Sequence, residues 1–147
     1  MRHRQTGKKL NRSTNARKAL FISLLTAFFE NGKLVTTQAK AKAIQGKIDG
    51  LINKAKQSDL TNRRFIYSFL KTSKSIQNLI EEIAPRYPNR KSGYTRLIRI
   101  GSRRGDQAMM VKLELIKKDG EKDGEGKAKK GNKKKTSSKK TKTKKKK

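Results

Sequence analysis

Cysteine and tryptophan are missing from this 147-residue chain, which has one histidine, two prolines and only 11 acidic residues. Without cysteine there is no disulfide framework, no thiolate nucleophile and no thiolate zinc site, and His3 alone cannot build a multi-histidine metal centre. No run approaches the roughly eighteen uninterrupted apolar residues that a membrane-spanning helix needs. The segment Met1-Arg2-His3-Arg4 lacks the apolar stretch of a secretory signal, so a cytoplasmic protein is expected. Phosphate-loop, nucleophile-elbow and dinucleotide glycine motifs are all missing. Glu81 and Glu82 are adjacent, not a facing carboxylate pair. Asp119, Glu121, Asp123 and Glu125 lack the ligand order of a calcium loop. No enzyme activity, cofactor, metal or small-molecule substrate is expected.

What the chain has is cation: 41 Lys+Arg, a formal charge of +30 and a pI near 10.9. A polyanionic partner is implied. Two materials meet at Ile116. Residues 117–147 hold 16 Lys, 4 acids and a single apolar residue, Ala128. With so little to bury, this tail cannot offset an ordering cost of ~1–2 kcal/mol per residue, so it is expected to be disordered when free. Residues 1–116 hold 25 cations, 7 acids and an apolar content ordinary for one small domain.

Within that part, residues 1–14 read as an extended basic arm and 15–116 as a folded body. A helix from about Asn15, capped by Ser13 and stopped by Gly32, carries a broad apolar stripe from Ala16 through Leu20, Leu24 and Phe28. A strand over 33–37 follows, then a helix from Thr37 to about Lys56 buries Ile44, Ile48, Leu51, Ile52 and Ala55, against the propensity of Gly46 and Gly50. A short helix starting at Asp59 or Thr61 carries Phe65, Ile66, Phe69 and Leu70. A fourth, with Ile76, Leu79, Ile80 and Ile83, is expected to end at Ala84 because of Pro85. A basic loop over 86–93 leads into a hairpin of strands 94–100 and 109–115, the second alternating strictly. The class is α+β: helix, strand, three helices, two strands, with a small mixed sheet.

The cations most exposed to this reading lie in separate segments. Arg2, His3, Arg4, Lys8, Lys9, Arg12, Arg17 and Lys18 occupy the arm and the start of the first helix, where no acid occurs. Arg63 and Arg64 open the third helix, Arg86, Arg90 and Lys91 lie in the basic loop, and Arg96, Arg99, Arg103 and Arg104 surround the hairpin. Arginine's planar fork engages phosphate bidentately and stacks on unpaired bases, while lysine supplies loose point charge. Extended basic segments on a compact core suit folded RNA better than regular duplex DNA. The alternative is a DNA-compacting architectural protein, although no apolar wedge or recognition helix stands out.

Met1-Arg2-His3-Arg4 with Gly7, Leu10-Asn11-Arg12, Leu34-Val35-Thr36-Thr37, Asn62-Arg63-Arg64, Pro85-Arg86-Tyr87, Gly93-Tyr94-Thr95-Arg96 and Arg104-Gly105-Asp106 follow one another along the chain. In this order they resemble a known family, the L seventeen proteins of the bacterial large ribosomal subunit. They span nearly all of residues 1–116. The resemblance implies a structural constituent of the large subunit bound to its ribosomal RNA near the nascent-peptide tunnel exit, on the ribosome in the cytoplasm. It also implies an arm threaded into RNA and a small neighbouring protein, L thirty-two, as partner. The lysine tail departs from the family and is expected to add nonspecific affinity. The arm and loops are expected to order only when phosphate supplies counter-charge.

Overall fold

In a computed structural model, residues 7–57 and 59–117 are described; Arg2, His3, Arg4 and the tail beyond Lys117 lie outside the described residues. Helix α1 spans Thr14–Asn31. Ser13 accepts a hydrogen bond from the Ala16 amide, and Gly32 turns left-handed at φ 66° while its N–H closes onto the Phe28 carbonyl. Both ends therefore stop where the sequence places them. The apolar stripe is buried only in its second half. Leu25, Phe28 and Phe29 are buried, Leu20, Phe21 and Leu24 are half-buried, and Ala16 is exposed. At 18 residues the helix is roughly 27 Å long, more than the layer beneath it can cover, so its basic N-terminal turns stand clear of the core.

Strand β1 (Lys33–Thr37) leads directly into α2 (Gln38–Lys56). Ala41, Ile44, Ile48, Leu51, Ile52 and Ala55 all face inward at helical spacing, and α2 touches α1, all three strands, the helix over 60–69 and the helical turns over 78–86. Helix α3 (Leu60–Phe69) starts after Asp59 and buries Ile66, with Leu70 and half-buried Phe69 extending the contact. Helix α4 (Ser73–Gln77) continues as a widened π turn over Asn78–Ile83 and a tight turn over Ala84–Arg86. Pro85 does not end the helical path at Ala84, which keeps helical angles (φ −59°, ψ −43°). Two contacts outweigh the steric preference. Ile83 and Ala84 are buried, and the Asn78 amide donates to the carbonyls of Phe29 and Glu30, closing the last turn of α1.

Strands β2 (Thr95–Ser102) and β3 (Met109–Leu115) complete a sheet of order β1-β3-β2. The sheet is antiparallel throughout, not mixed. β1 and β2 do run in the same direction, but β3 inserts between them and takes up the pairing edges of both. Val111 and Leu113 are buried as the alternation requires, whereas Met109, paired with Ser102 at the hairpin end of the strand, is exposed. A bulge between Arg99 and Gly101 extends β2 two residues past Ile100.

The 86–93 loop is held by the body itself. Asp49, Asn53 and Lys56 lie at i, i+4 and i+7 on one face of α2. The Asp49 carboxylate accepts the amides of Gly93 (3.1 Å) and Tyr94 (3.3 Å). Asn53 donates to the Lys91 carbonyl at 2.8 Å, and Lys56 donates to the Arg90 carbonyl and to the Tyr94 hydroxyl at 2.7 Å. The Tyr94 hydroxyl also reaches Asn53. Tyr87 and Tyr94 are fully buried with ring centroids 5.4 Å apart, and Tyr87 donates to the Ile116 carbonyl. These contacts tie the loop's backbone to α2 at residues 90, 91, 93 and 94.

Two stability predictions follow from α2. Gly46 and Gly50 are exposed, and a Cβ at either meets nothing within 4 Å. Gly46→Ala and Gly50→Ala each stabilise the fold by about 0.5–1 kcal/mol, read as a raised melting temperature; a lowered one contradicts the packing described. Asp49→Ala strips two amides of their acceptor and costs about 1–3 kcal/mol. Hydrogen exchange at Gly93 and Tyr94 accelerates in that variant, and unchanged exchange there removes Asp49 as the loop's anchor.

Candidate nucleic-acid interface

The described part of the arm is not simply extended. Lys9 to Arg12 form a turn closed by the Arg12 amide on the Lys9 carbonyl, with Leu10 (φ 55°) and Asn11 (φ 50°) both left-handed. Asparagine tolerates that region; leucine does so at a steric cost that the turn must offset. Arg12's carbonyl then accepts from the Arg17 guanidinium at 3.3 Å. Lys8, Lys9, Arg12 and Lys18 are exposed at this projecting end of α1. The first acid in the chain is Glu30, at the opposite end of the helix, so no acid within residues 1–29 offsets the charge of the projection.

At the sheet, the predicted arginines divide between opposite ends. Arg96 lies near the start of β2, and Arg103 follows its last residue. At about 3.3 Å per residue the two are roughly 20 Å apart. Near the first end, Arg86 and Arg96 line an open cleft of about 570 Å³ together with Lys33 and Lys117. Neither arginine is free of carboxylate: Arg86 pairs with Glu82 at 3.1 Å and Arg96 with Glu114 at 2.6 Å. Lys112 approaches the same Glu114 at 2.6 Å. Those two cations hold the Glu114 carboxyl below its ordinary value near 4.5, with Lys112 the larger influence. The cluster thus stabilises the fold above that value and loses its contribution only as the pH falls through the lowered one.

The hairpin tip is more compact than a long mobile connection. Arg103's amide donates to the Ala108 carbonyl at 3.0 Å, and its guanidinium folds back onto Asp106. Hydrogen bonds from Arg103 and from the Ala108 amide hold the Asp106 carboxyl down at about 2. Gly105 and Gln107 supply the left-handed backbone the turn needs. Arg104 and Arg99 remain exposed, so only part of the expected arginine tip points outward.

Lys8, Lys9, Arg12, Lys18, Arg63, Arg64, Lys91, Arg99 and Arg104 make no ion pair among the described residues. Arg90 instead donates to the Gly93 carbonyl at 3.2 Å and helps shape its own loop. Sequence reasoning missed Asp49, Asn53 and Lys56, which fix the loop, and Lys33 and Lys117, which join Arg86 and Arg96 in the cleft. The polar i, i+4, i+7 spacing on an otherwise core-facing helix was the available signal for the first three. No helix among the described residues is long and apolar enough to cross a membrane, and no group of three or more metal-ligating side chains gathers among them.

The family model described as Ribosomal protein L17 matches residues 20–116. A relative from Pelobacter propionicus, named Large ribosomal subunit protein bL17, is 40% identical over 119 residues, covering 81% of this chain and 94% of the relative. Proteins of the same name from Clostridium botulinum and Symbiobacterium thermophilum are 44% and 45% identical, each covering 74% of this chain and 96% of the relative. The chain belongs to the ribosomal protein L17 family.

Proposed function

We propose that this chain is a structural constituent of the large ribosomal subunit, resident on cytoplasmic ribosomes, which binds and stabilises folded ribosomal RNA near the nascent-peptide tunnel exit. Its work is architectural and involves no catalysis. Family membership supports the subunit assignment. The observation that carries the RNA-binding reading is the acid-free basic end of α1, projecting from the core with Lys8, Lys9, Arg12 and Lys18 exposed. Arg2, His3 and Arg4 extend the same charge, and Arg17 braces the turn beside it. Arg63, Arg64, Arg90, Lys91, Arg99 and Arg104 engage further phosphates from the helical face, the anchored loop and the hairpin. Arg86, Arg96 and Arg103 contribute from carboxylate-paired positions. The neighbouring protein L thirty-two is the proposed protein partner, and the lysine tail supplies diffuse affinity.

Sucrose gradients at rising salt test the arm. Replacing Arg2, Arg4 and Arg12 with alanine lowers the salt at which the protein leaves the large subunit, without changing the melting temperature of the isolated chain. Identical release curves sink the arm's anchoring role. Deleting residues 117–147 flattens the salt dependence by roughly 0.7–0.9 in log–log slope for each phosphate lost, and an unaltered slope removes the tail from the contact.

Glu114→Gln probes the cleft. It frees Arg96 and Lys112 from their shared carboxylate, so the slope of RNA binding against salt becomes steeper, by about 1.5 if both cations then meet phosphate. A slope equal to that of the unaltered chain takes the cleft off the RNA.

A further inference from the structure

The outward side of α3 combines charge with an aromatic ring that the core does not use. Leu60, Arg63, Arg64 and Tyr67 recur at i, i+3, i+4 and i+7, on a stripe turned about 100° round the helix from buried Ile66, and all four are exposed. Tyr67 is 60% exposed, and its hydroxyl makes no hydrogen bond among the described residues. Tyr87 and Tyr94 behave in the opposite way, being fully buried and hydrogen-bonded.

The neighbouring phenylalanines already have partners. Phe65 stacks on Phe69 at 6.1 Å with the Lys54 ammonium 4.3 Å above its ring, and Lys47 sits 5.2 Å from Phe21 and 5.8 Å from Phe69. Tyr67 has neither a ring nor a cation against it among the described residues. Burying a large aromatic ring is favourable and leaving one in water gains nothing, so an open ring between two unpaired guanidinia is suited to a planar ligand that carries negative charge.

We propose that this face of α3 is a stacking site for an unpaired base of single-stranded or bulged RNA, with Tyr67 against the base and Arg63 and Arg64 on the flanking phosphates. The proposal rests on the RNA-binding reading and adds a site and a nucleotide class to it. Charge complementarity selects nucleic acid: α3 contains no acid, and neither guanidinium is paired with a carboxylate among the described residues. The ring selects an unpaired base, since a regular duplex keeps its base faces stacked inside. No base-specific hydrogen bond is required, so the site tolerates any base.

The full chain is titrated into a short single-stranded RNA carrying 2-aminopurine at its centre, and into the same RNA annealed to its complement. Stacking on Tyr67 quenches the single-stranded probe. Tyr67→Leu abolishes the quenching and weakens single-strand binding about tenfold while duplex binding stays the same, and Tyr67→Phe retains both signals. Arg64→Ala keeps the quenching but flattens the single-strand salt slope by about 0.7. Because Tyr67 is exposed, the melting temperature should not change, and it is measured on each variant. Unaltered quenching and affinity in Tyr67→Leu overturn the stacking site while leaving RNA binding by the arm intact. Failure of the full chain to bind either probe overturns the RNA-binding reading and the site with it. Crosslinking of position 67 to a protein on the assembled subunit, with unchanged probe binding, assigns the face to a protein contact and rejects the proposal.

Discussion

Twenty-five cations and seven acids share residues 1–116, and like charge at that density pushes a compact chain apart. The fold resists with one continuous apolar cluster threaded by α2, whose buried side supplies Ile44, Ile48, Leu51, Ile52 and Ala55. Each large apolar side chain taken out of water contributes about 1.5–3 kcal/mol, and this cluster joins α1, the sheet and the later helices into one body. The scarce acids are used for geometry. Asp49 ties down two amides, while Glu82, Asp106 and Glu114 each fix an arginine. The charge left uncompensated collects on the parts the core does not need: the start of α1, the outer side of α3 and the exposed loops.

Those parts differ in how they are held, and the difference follows from the residues beneath them. The 86–93 loop rests on three α2 side chains and a buried tyrosine, so its backbone is held by contacts within the body. Among the described residues, the projecting end of α1 has its cap, the Lys9–Arg12 turn and the Arg17 contact to steady it. A preformed loop meets phosphate with little further loss of conformational freedom, whereas a less supported segment gives up more on binding and adapts further. Both can operate on one molecule because α2 separates the work of folding from the work of contact.

Much of the fold was legible because it rests on local chemistry. Ser13 and Gly32 bracket α1 since one side chain and one left-handed backbone suffice, and the period of the apolar residues gave the buried face of α2. Features set by neighbours distant in sequence were not legible. Ala16 fits an apolar stripe but has nothing above it, Pro85 is overruled by packing and by Asn78, and strand direction was fixed only when β3 inserted between β1 and β2. For the interface, sequence gave the sign and location of charge. It did not give which cations are already paired, because Arg96 meets Glu114 across strands 18 residues apart. Nor did it separate Tyr67 from Tyr87 and Tyr94, since a tyrosine's period alone does not tell which side of a short helix the core will claim.

Fixed arginine and loose lysine then do different things to selectivity. A lysine on an unconstrained backbone attracts any polyanion, and its contribution fades with salt in the same way for all of them. An arginine on a backbone shaped by buried contacts presents its donors in a set direction, so a phosphate at the wrong angle gains less than one at the right angle. The chain separates the two residue types along its length: residues 117–147 contain 16 lysines and no arginine, and every arginine lies within the first 104 residues. Discrimination between one folded polyanion and another must therefore come from the body, and the anchoring of its loops to α2 is what turns excess charge into shape.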